Sequence, residues 1–251
     1  MARDAERITG KLLLRRLAMK PFVFSLALLA FGVRAEPGAP RVIGHWDFDE
    51  VADGRVPDRS GHGRHGRIHG SPVRVEGIAG NALRFQSNDD FVDFGAPIIP
   101  ARDFTISVWV NCDDVEKQFF LGQYSYGHPG RLDLAVREGC ARIQITDIVD
   151  SPKLIAPRQW YQLVYVRSGD KLTTYLDGKA IVQGRLPLEV IQTENLIVGK
   201  ISVPKQDSFR LTGSLDELQI WDGALSPAQI EANFAHTRGA GQASGLSRAR
   251  R

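Results

Sequence analysis

Phe104-Thr-Ile-Ser-Val-Trp-Val110 is the stretch on which the fold turns. A β-strand sends successive side chains to opposite faces, so Phe104, Ile106, Val108 and Val110 share one side and Thr105, Ser107 and Trp109 the other. The first side is a core face, and the second carries one large aromatic among small polar residues. The same alternation recurs on either side of this stretch, at Ala82 to Phe85, Phe91 to Phe94, Arg131 to Val136, Ala141 to Thr146, Trp160 to Val166, Leu172 to Leu176 and Leu215 to Trp221. Between Arg41 and Trp221 no amphipathic helical run exceeds about two turns. Turn chemistry separates the segments: Ser168-Gly169-Asp170 precedes Thr173-Thr-Tyr-Leu176 and Asp177-Gly178 follows it, as hairpins require. The expectation is an all-β fold, two packed antiparallel sheets forming a sandwich of about a dozen strands.

The ends of the chain read differently. Ser226 is placed to cap a short C-terminal helix over Ala228 to Phe234, with Pro227 as its first residue and Gln229 as capping-box partner. That helix is expected to pack on the edge of the sandwich. Residues 237–251 show no periodicity and almost no large apolar side chain, which predicts a disordered tail. At the other end Lys20 precedes the apolar run Pro21 to Gly32 and then Val33-Arg34-Ala35. A run of about a dozen residues is too short to span a bilayer as a helix, and its small-residue flank fits a signal peptide cleaved after Ala35. Residues 1–35 are therefore expected to be removed, the true start falling at Met19, and residues 36–236 to form one domain.

Charge follows the same division. Seven of the 32 basic and two of the 29 acidic residues lie in 1–35, leaving 25 basic against 27 acidic. Four of those 25 basic residues (Arg238, Arg248, Arg250 and Arg251) follow His236, so the span 36–236 carries net −6. A folded body of that sign offers no basic face for nucleic acid, and no second apolar run is long enough to cross a membrane. The two cysteines, Cys112 and Cys140, allow one disulfide in an oxidising compartment, and two unbridged thiols fit the sequence equally.

Seven motifs stand in order along the body: His45-Trp-Asp-Phe-Asp-Glu50, Asp58-Arg-Ser-Gly-His-Gly-Arg-His-Gly66, Gly80-Asn-Ala-Leu-Arg-Phe85, Phe104 to Val110, Trp160-Tyr-Gln-Leu-Val-Tyr-Val166, Tyr175-Leu-Asp-Gly-Lys179, and Gly213-Ser-Leu-Asp-Glu-Leu-Gln-Ile-Trp221 leading to Ala224-Leu-Ser-Pro227. Together they resemble the bacterial laminin G-like jelly roll, which is similar to the pentraxins and belongs with the concanavalin A-like lectins and glucanases. The resemblance covers about residues 41–236 and implies a jelly-roll sandwich. It also implies a calcium-dependent ligand site at an acidic-Gln-Asp-Ser run. Here that run reads Lys205-Gln-Asp-Ser-Phe209, with Gln206 and Asp207 matching, Lys205 in place of an acid, and Gly130-Arg131 near where further oxygen donors belong.

A fold of this kind hosts many functions, so function must be argued from sites. The related glucanases carry Glu-x-Asp-x-(x)-Glu on one strand, a pair of carboxylates facing one cleft as retaining hydrolysis requires. No such run occurs here, and strict alternation sends Asp216 and Glu217 to opposite faces. Gly-x-Ser-x-Gly is absent as well, and the chain is expected not to be an enzyme. His62, His65 and His69 are spaced closely enough to share a cation, but no thiolate or fixed carboxylate accompanies them and a solvated Gly-rich turn accounts for them better. Asp58 is expected to accept backbone hydrogen bonds around Ser60 and Gly61.

Asp47 and Asp49 alternate with Trp46 and Phe48, so the aromatics face the core and the acids face out. Asp216 shares its parity with Leu218 and Ile220, which marks it as a buried acid in need of partners. Backbone amides or an Arg are the commoner solution, and a structural Ca²⁺ shared with Asp49 is the alternative. Tyr124 and Tyr126, in Gly122-Gln-Tyr-Ser-Tyr-Gly-His-Pro-Gly130, are candidates to stack on sugar rings; equally, one could pack beneath the loop and the other be incidental. The functional expectation is a secreted, periplasmic or cell-surface module that binds carbohydrate or an extracellular protein. A glycan-active hydrolase with an unrecognised site and an envelope-structural domain without a small ligand are the alternatives.

Overall fold

A computed structural model describes residues 38–201, 203 and 209–248. The expected signal peptide, the Met19 start, Gln206 and Asp207 all lie outside the described residues. In chain order the elements are β1 (Val42–Trp46), β2 (Arg55–Val56), β3 (Gly66–His69), β4 (Val73–Glu76), β5 (Asn81–Phe85), β6 (Phe91–Asp93), β7 (Phe104–Cys112), β8 (Lys117–Gln123), β9 (Leu132–Arg137), β10 (Cys140–Ile145), β11 (Asp147–Asp150), β12 (Tyr161–Ser168), β13 (Lys171–Leu176), β14 (Lys179–Arg185), β15 (Leu196–Val198), β16 (Gly213–Trp221) and α1 (Pro227–Arg248).

The strands form two antiparallel sheets, as the alternation required. The first runs β14-β13-β12-β7-β16-β5-β4, with β1 also pairing β16, and the second runs β11-β10-β9-β8-β15-β6-β3-β2. Strand β16 serves two partners in succession along one flank, β5 through Gly213–Leu215 and β1 through Leu218–Trp221. Between them the ladder to β7 shifts register across Asp216 to Gln219, and Glu217 takes a φ of 48°. The inward sides of both sheets make one core, which includes Trp46, Phe48, Phe85, Phe104, Ile106, Phe120, Leu134 and Tyr165. Trp46 packs against Phe94 at 4.3 Å between ring centroids, and its Nε1 donates to the Arg64 carbonyl at 2.9 Å.

Trp109, on the opposite side of β7 from that core, is only 1% exposed. Helix α1 covers it. Phe234 stacks on the Trp109 ring at 5.5 Å, and Ile230 joins Val164, Val166, Tyr175, Trp221 and Leu225 in a second apolar cluster. Asn233 carries the polar part of the seat: its Oδ1 accepts from Gln162 Nε2 at 2.7 Å and its Nδ2 donates to Gln219 Oε1 at 2.9 Å. The helix therefore lies across the central strands β12, β7 and β16 and not on the sandwich edge, because those strands present Trp109 and Val164 outward.

The N-terminal cap is the expected box: Ser226 N donates to Gln229 Oε1 at 2.8 Å, and Gln229 N donates back to Ser226 Oγ at 3.3 Å. At the far end the helix continues to Arg248, through residues that the sequence pattern assigned to a disordered tail. No proline follows Pro227 in the chain, and once a docked turn has met the cost of nucleation each added residue needs to gain only one hydrogen bond.

Candidate functional site

The outer side of the second sheet has no helix over it among the described residues. Along β9, Leu132, Leu134 and Val136 enter the core, so Asp133, Ala135 and Arg137 face outward. Asp133 pairs with Gly122 of β8 and with Gln144 of β10, and Gln144 pairs with Ile148 of β11. Residues paired across an antiparallel ladder share a face, so Gly122, Asp133, Gln144 and Ile148 form one outward row. Ile148 is 49% exposed at the row's open end. At the other end a small cluster of Phe119, Ala135 and Ile201, with Tyr124 against it, closes the surface. Gly122 permits this closure, since a side chain there would meet Ile201 Cγ2 at 2.5 Å.

Asp133 is 1% exposed, yet its Oδ1 has no hydrogen-bond partner. Burial pushes its carboxyl up to about 7, against the opposing pull of Arg131 and Arg142. Arg131 Nε is also buried without a partner, although Arg131 Nη1 donates to the His128 carbonyl at 3.3 Å. Arg142 holds Asp150, its Nε and Nη2 donating to the two carboxylate oxygens at 2.7 and 2.6 Å. A buried acceptor and a buried donor on one patch thus remain unsatisfied, a costly arrangement in a folded chain.

The loop from Gln123 to Arg131 sets the rim of this patch. Gln123 is fully buried and anchors its start: Oε1 accepts from the amides of Ile98 and Ile99 at 2.9 and 3.1 Å, while Nε2 donates to the Ile191 carbonyl. At its end Gly130 N donates to Thr146 Oγ1 at 3.1 Å. Tyr124 is half-buried, with the Arg131 guanidinium 5.8 Å from its ring centroid. Burial raises its hydroxyl and the Arg131 charge lowers it. Tyr126 stands 64% exposed. The structure therefore brings Tyr124 together with Arg131 and Asp133 and leaves Tyr126 at the rim. Asp133 and Arg142 were not singled out from the sequence, and Arg131 was named only as standing near the expected calcium ligands, although a lone acid amid Leu132, Leu134, Ala135 and Val136 was the available signal.

A laminin G family model, described as the concanavalin A-like lectin/glucanases superfamily, matches residues 86–231. The chain belongs to the concanavalin A-like lectin/glucanase superfamily. No curated protein sequence matches this superfamily member. Solved structures share its fold. Domain 4 of AbnA, an extracellular arabinanase of Geobacillus stearothermophilus solved with arabinotriose, superposes with a TM-score of 0.62 at 17% identity, over 77% of this chain and 98% of that one. The binding domain of Paraclostridial Mosquitocidal Protein 1 gives 0.61 at 15% identity, over 77% of this chain and 52% of that one. The receptor-binding domain of botulinum neurotoxin D gives 0.57 at 13% identity, over 78% and 52%.

The other residues singled out from this concanavalin A-like sequence hold its frame together. Asp216 is fully buried, but the register shift takes it out of the row of Leu218 and Ile220 and pairs it with Trp109, on the outer side of the first sheet. Its Oδ2 accepts from the amides of Ile78 and Ala79 at 2.8 and 3.2 Å, and its Oδ1 from Glu217 N at 2.8 Å. Burial pushes Asp216 up to about 8 against the pull of those amides. Asp49 Oδ1 accepts from Asn81 N at 2.6 Å, at the end of the same turn, where Gly80 takes a φ of 77° and a side chain would strike Asp49. Backbone amides thus supply the partners that the burial of Asp216 demands. Among the described residues no three His, Cys, Asp or Glu side chains gather as metal ligands.

Glu217 also turns to the outer side, where His45 Nε2 lies 2.9 Å from its Oε2 and Gln219 Nε2 donates to it at 3.3 Å. The bulge thus corrects the expectation that Asp216 and Glu217 face opposite ways. The two cysteines are unbridged. Cys112 is 2% exposed with the inward residues of β7, whereas Cys140 shares its phase with Arg142 and Gln144, opposite the inward Ala141 and Ile143. Asp58 caps its turn as expected for Ser60, whose amide donates to it at 2.8 Å, and the amides of Arg64 and His45 complete the set. His65 Nδ1 accepts from Asp58 N at 3.0 Å, and His69 stacks on Phe91 at 4.2 Å, so these imidazoles serve separate contacts.

Proposed function

We propose that the chain is an exported, non-catalytic module that binds carbohydrate on the outer face of its second sheet. Tyr126 forms the rim, and Tyr124, Arg131 and Asp133 form the floor. One observation carries the reading: Asp133 keeps an unsatisfied buried acceptor and Arg131 an unsatisfied buried donor, Arg131 lies 5.8 Å from the Tyr124 ring, and the loop leading into Arg131 carries Tyr126, 64% exposed. A sugar offers hydroxyls to the first two and a ring face to Tyr126, and a partly apolar site with a few convergent polar groups is the usual form of a ligand site.

The fold neighbours support the reading as far as their own descriptions go, one being a domain solved with arabinotriose and others binding domains of toxins. Absence of catalysis is supported by the acids of this face: Asp150 is locked to Arg142, which leaves Asp133 without a second free carboxylate of the kind glycoside hydrolysis needs. Export is supported by the apolar run and small-residue flank ahead of residue 36. No helix of the described residues is long and apolar enough to cross a membrane.

A glycan array followed by calorimetric titration tests the proposal. The chain should bind at least one oligosaccharide class, EDTA should leave the affinity unchanged, and Tyr126→Ala and Asp133→Asn should each weaken it. Wild-type protein that binds no glycan, or variants that keep full affinity, would sink the reading.

A further inference from the structure

The β13–β14 hairpin, on the other sheet from Tyr126 and Asp133, carries a groove that the carbohydrate reading does not use. Leu172 and Thr174 of β13 point inward, 1% and 0% exposed, and Gly184 of β14 faces Val149. Strand alternation therefore puts Lys171 and Thr173 of β13, and Gln183 and Arg185 of β14, on the outer side. Thr173 pairs with Val166, which belongs to the apolar cluster beneath α1, so the groove lies beside the face that the helix covers. Its volume is about 470 Å³, and its lining is these four residues with Leu172 and Gly184 between them. Small-molecule sites have volumes in this range.

The register brings like charges together. Lys171 pairs with Arg185, and Thr173 with Gln183. Paired residues stand about 5 Å apart at Cβ, and successive pairs on one face about 7 Å apart along the strands. Two cations directly opposite one another destabilise a ladder. Asp170 answers part of that charge: its Oδ2 accepts from Arg185 Nη1 at 3.0 Å, the two side chains being 44% and 74% exposed. The parallel Nε–H and Nη2–H edge of Arg185 has no hydrogen-bond partner among the described residues, and Lys171 has no ion pair there.

An open guanidinium edge takes two oxygens of one anion side by side, and an ammonium adds a compact charge from the facing strand. A carboxylate, with two oxygens, is used up by the guanidinium alone. A phosphate monoester carries about −1.5 to −2 charge and three acceptor oxygens, enough for both cations. The groove is larger than the anion it would hold, and the next pair inward, Thr173 and Gln183, offers a hydroxyl and an amide, which suit the hydroxyls of a polyol.

We propose that this groove binds a phosphorylated sugar, its phosphate held between Arg185 and Lys171 and its hydroxyls by Gln183 and Thr173. The site is separate from the carbohydrate face and does not rest on it.

Calorimetric titration of the folded chain with glucose phosphate, glucose sulfate, inorganic phosphate and glucose tests this. Glucose phosphate should bind at least tenfold more tightly than each of the other three. Lys171→Gln and Arg185→Gln should each weaken it about tenfold, the loss of one charged hydrogen-bonding partner. Gln183→Ala should weaken glucose phosphate and leave inorganic phosphate unchanged, and Asp170→Asn should strengthen both as it releases the guanidinium. Inorganic phosphate binding as tightly as glucose phosphate would overturn the sugar part of the assignment. Preference for glucose or glucose sulfate, or affinity for glucose phosphate that survives both cation substitutions, would overturn the site itself. The substituted side chains lie on the surface, so the variants are expected to fold, and a melting curve verifies that.

Discussion

The two outer faces of the sandwich are built from the same alternating strands and end up doing opposite things. On the first sheet the outward residues of β7 and β12 are Trp109, Ser107, Gln162 and Val164, and α1 lies over them. On the second sheet the outward residues of β9 and β10 are Asp133, Arg142 and Gln144, and no described helix lies over them. Both faces keep orphan polar atoms. Those of Trp109 Nε1 and Gln162 Oε1 sit in residues 1% and 0% exposed beneath the helix, while those of Asp133, itself 1% exposed, and Arg131 lie on a face whose outward row ends at Ile148, 49% exposed. A polar orphan beneath a helix only costs stability. An orphan on a face without a described helix costs stability too, and natural sites commonly trade stability for function.

The largest test of the contrast removes the anchor of the covered face. Trp109→Ala should destabilise the fold by about 3–5 kcal/mol, as loss of a large buried aromatic does, with a lowered denaturant midpoint and, at temperatures where the variant stays folded, unchanged sugar affinity. If affinity falls with stability intact, the two faces are not independent.

Asp133→Asn should do the reverse and stabilise. Burial raises Asp133 from 3.8 to about 7, so the folded chain holds a proton that the unfolded chain releases. The stabilisation from this group is complete below the unfolded value and is lost as pH rises through about 7. The variant should therefore gain roughly 2–4 kcal/mol over wild type at pH 8 and almost nothing at pH 4. Asp216, pushed up to about 8, adds a slope of the same sign to both proteins, so the difference between their stability curves isolates Asp133. A difference that is flat with pH would show that the carboxyl is satisfied in the fold.

Asn233→Leu cuts the polar seat of the helix, leaving Gln162 and Gln219 with unpaired groups, and should cost about 1–3 kcal/mol. Chemical denaturation reads this directly, and a neutral result would mean that apolar contact alone holds α1. Tyr126→Ala is the smallest change to the fold, within about 0.5 kcal/mol, and should lower sugar affinity roughly 3- to 10-fold, the range of an aromatic stacking contribution.

Much of the sandwich was legible because alternation is local. The inward sets of β7, β9 and β10 follow from residue parity alone, and so does the capping box at Ser226. The separation of the cysteines was legible too: Cys112 has the parity of Val108 and Val110, while Cys140 has the parity opposite to Ala141 and Ile143. Comparing those phases would have excluded the bridge. Of the site, Tyr124 and Tyr126 were found through their glycine-flanked loop, but Asp133 was passed over because an acid on an outward strand position is ordinary unless something covers it.

By itself the sequence determined the period of each strand, the turns between them and the cap of the helix, since those depend on neighbours a few residues away. Three matters were decided only in the tertiary structure. The bulge at Glu217 arises where β16 exchanges β5 for β1, and it turns Asp216 away from the core row that parity assigned to it. The place of α1 follows from which face offers Trp109 and Val164 to a helix that brings Phe234 and Ile230. The cover beside Asp133 depends on Ile201 reaching Gly122, its ladder partner, from a distant part of the chain. Each rests on contacts between segments far apart in sequence, and local periodicity carries no record of which segments will meet.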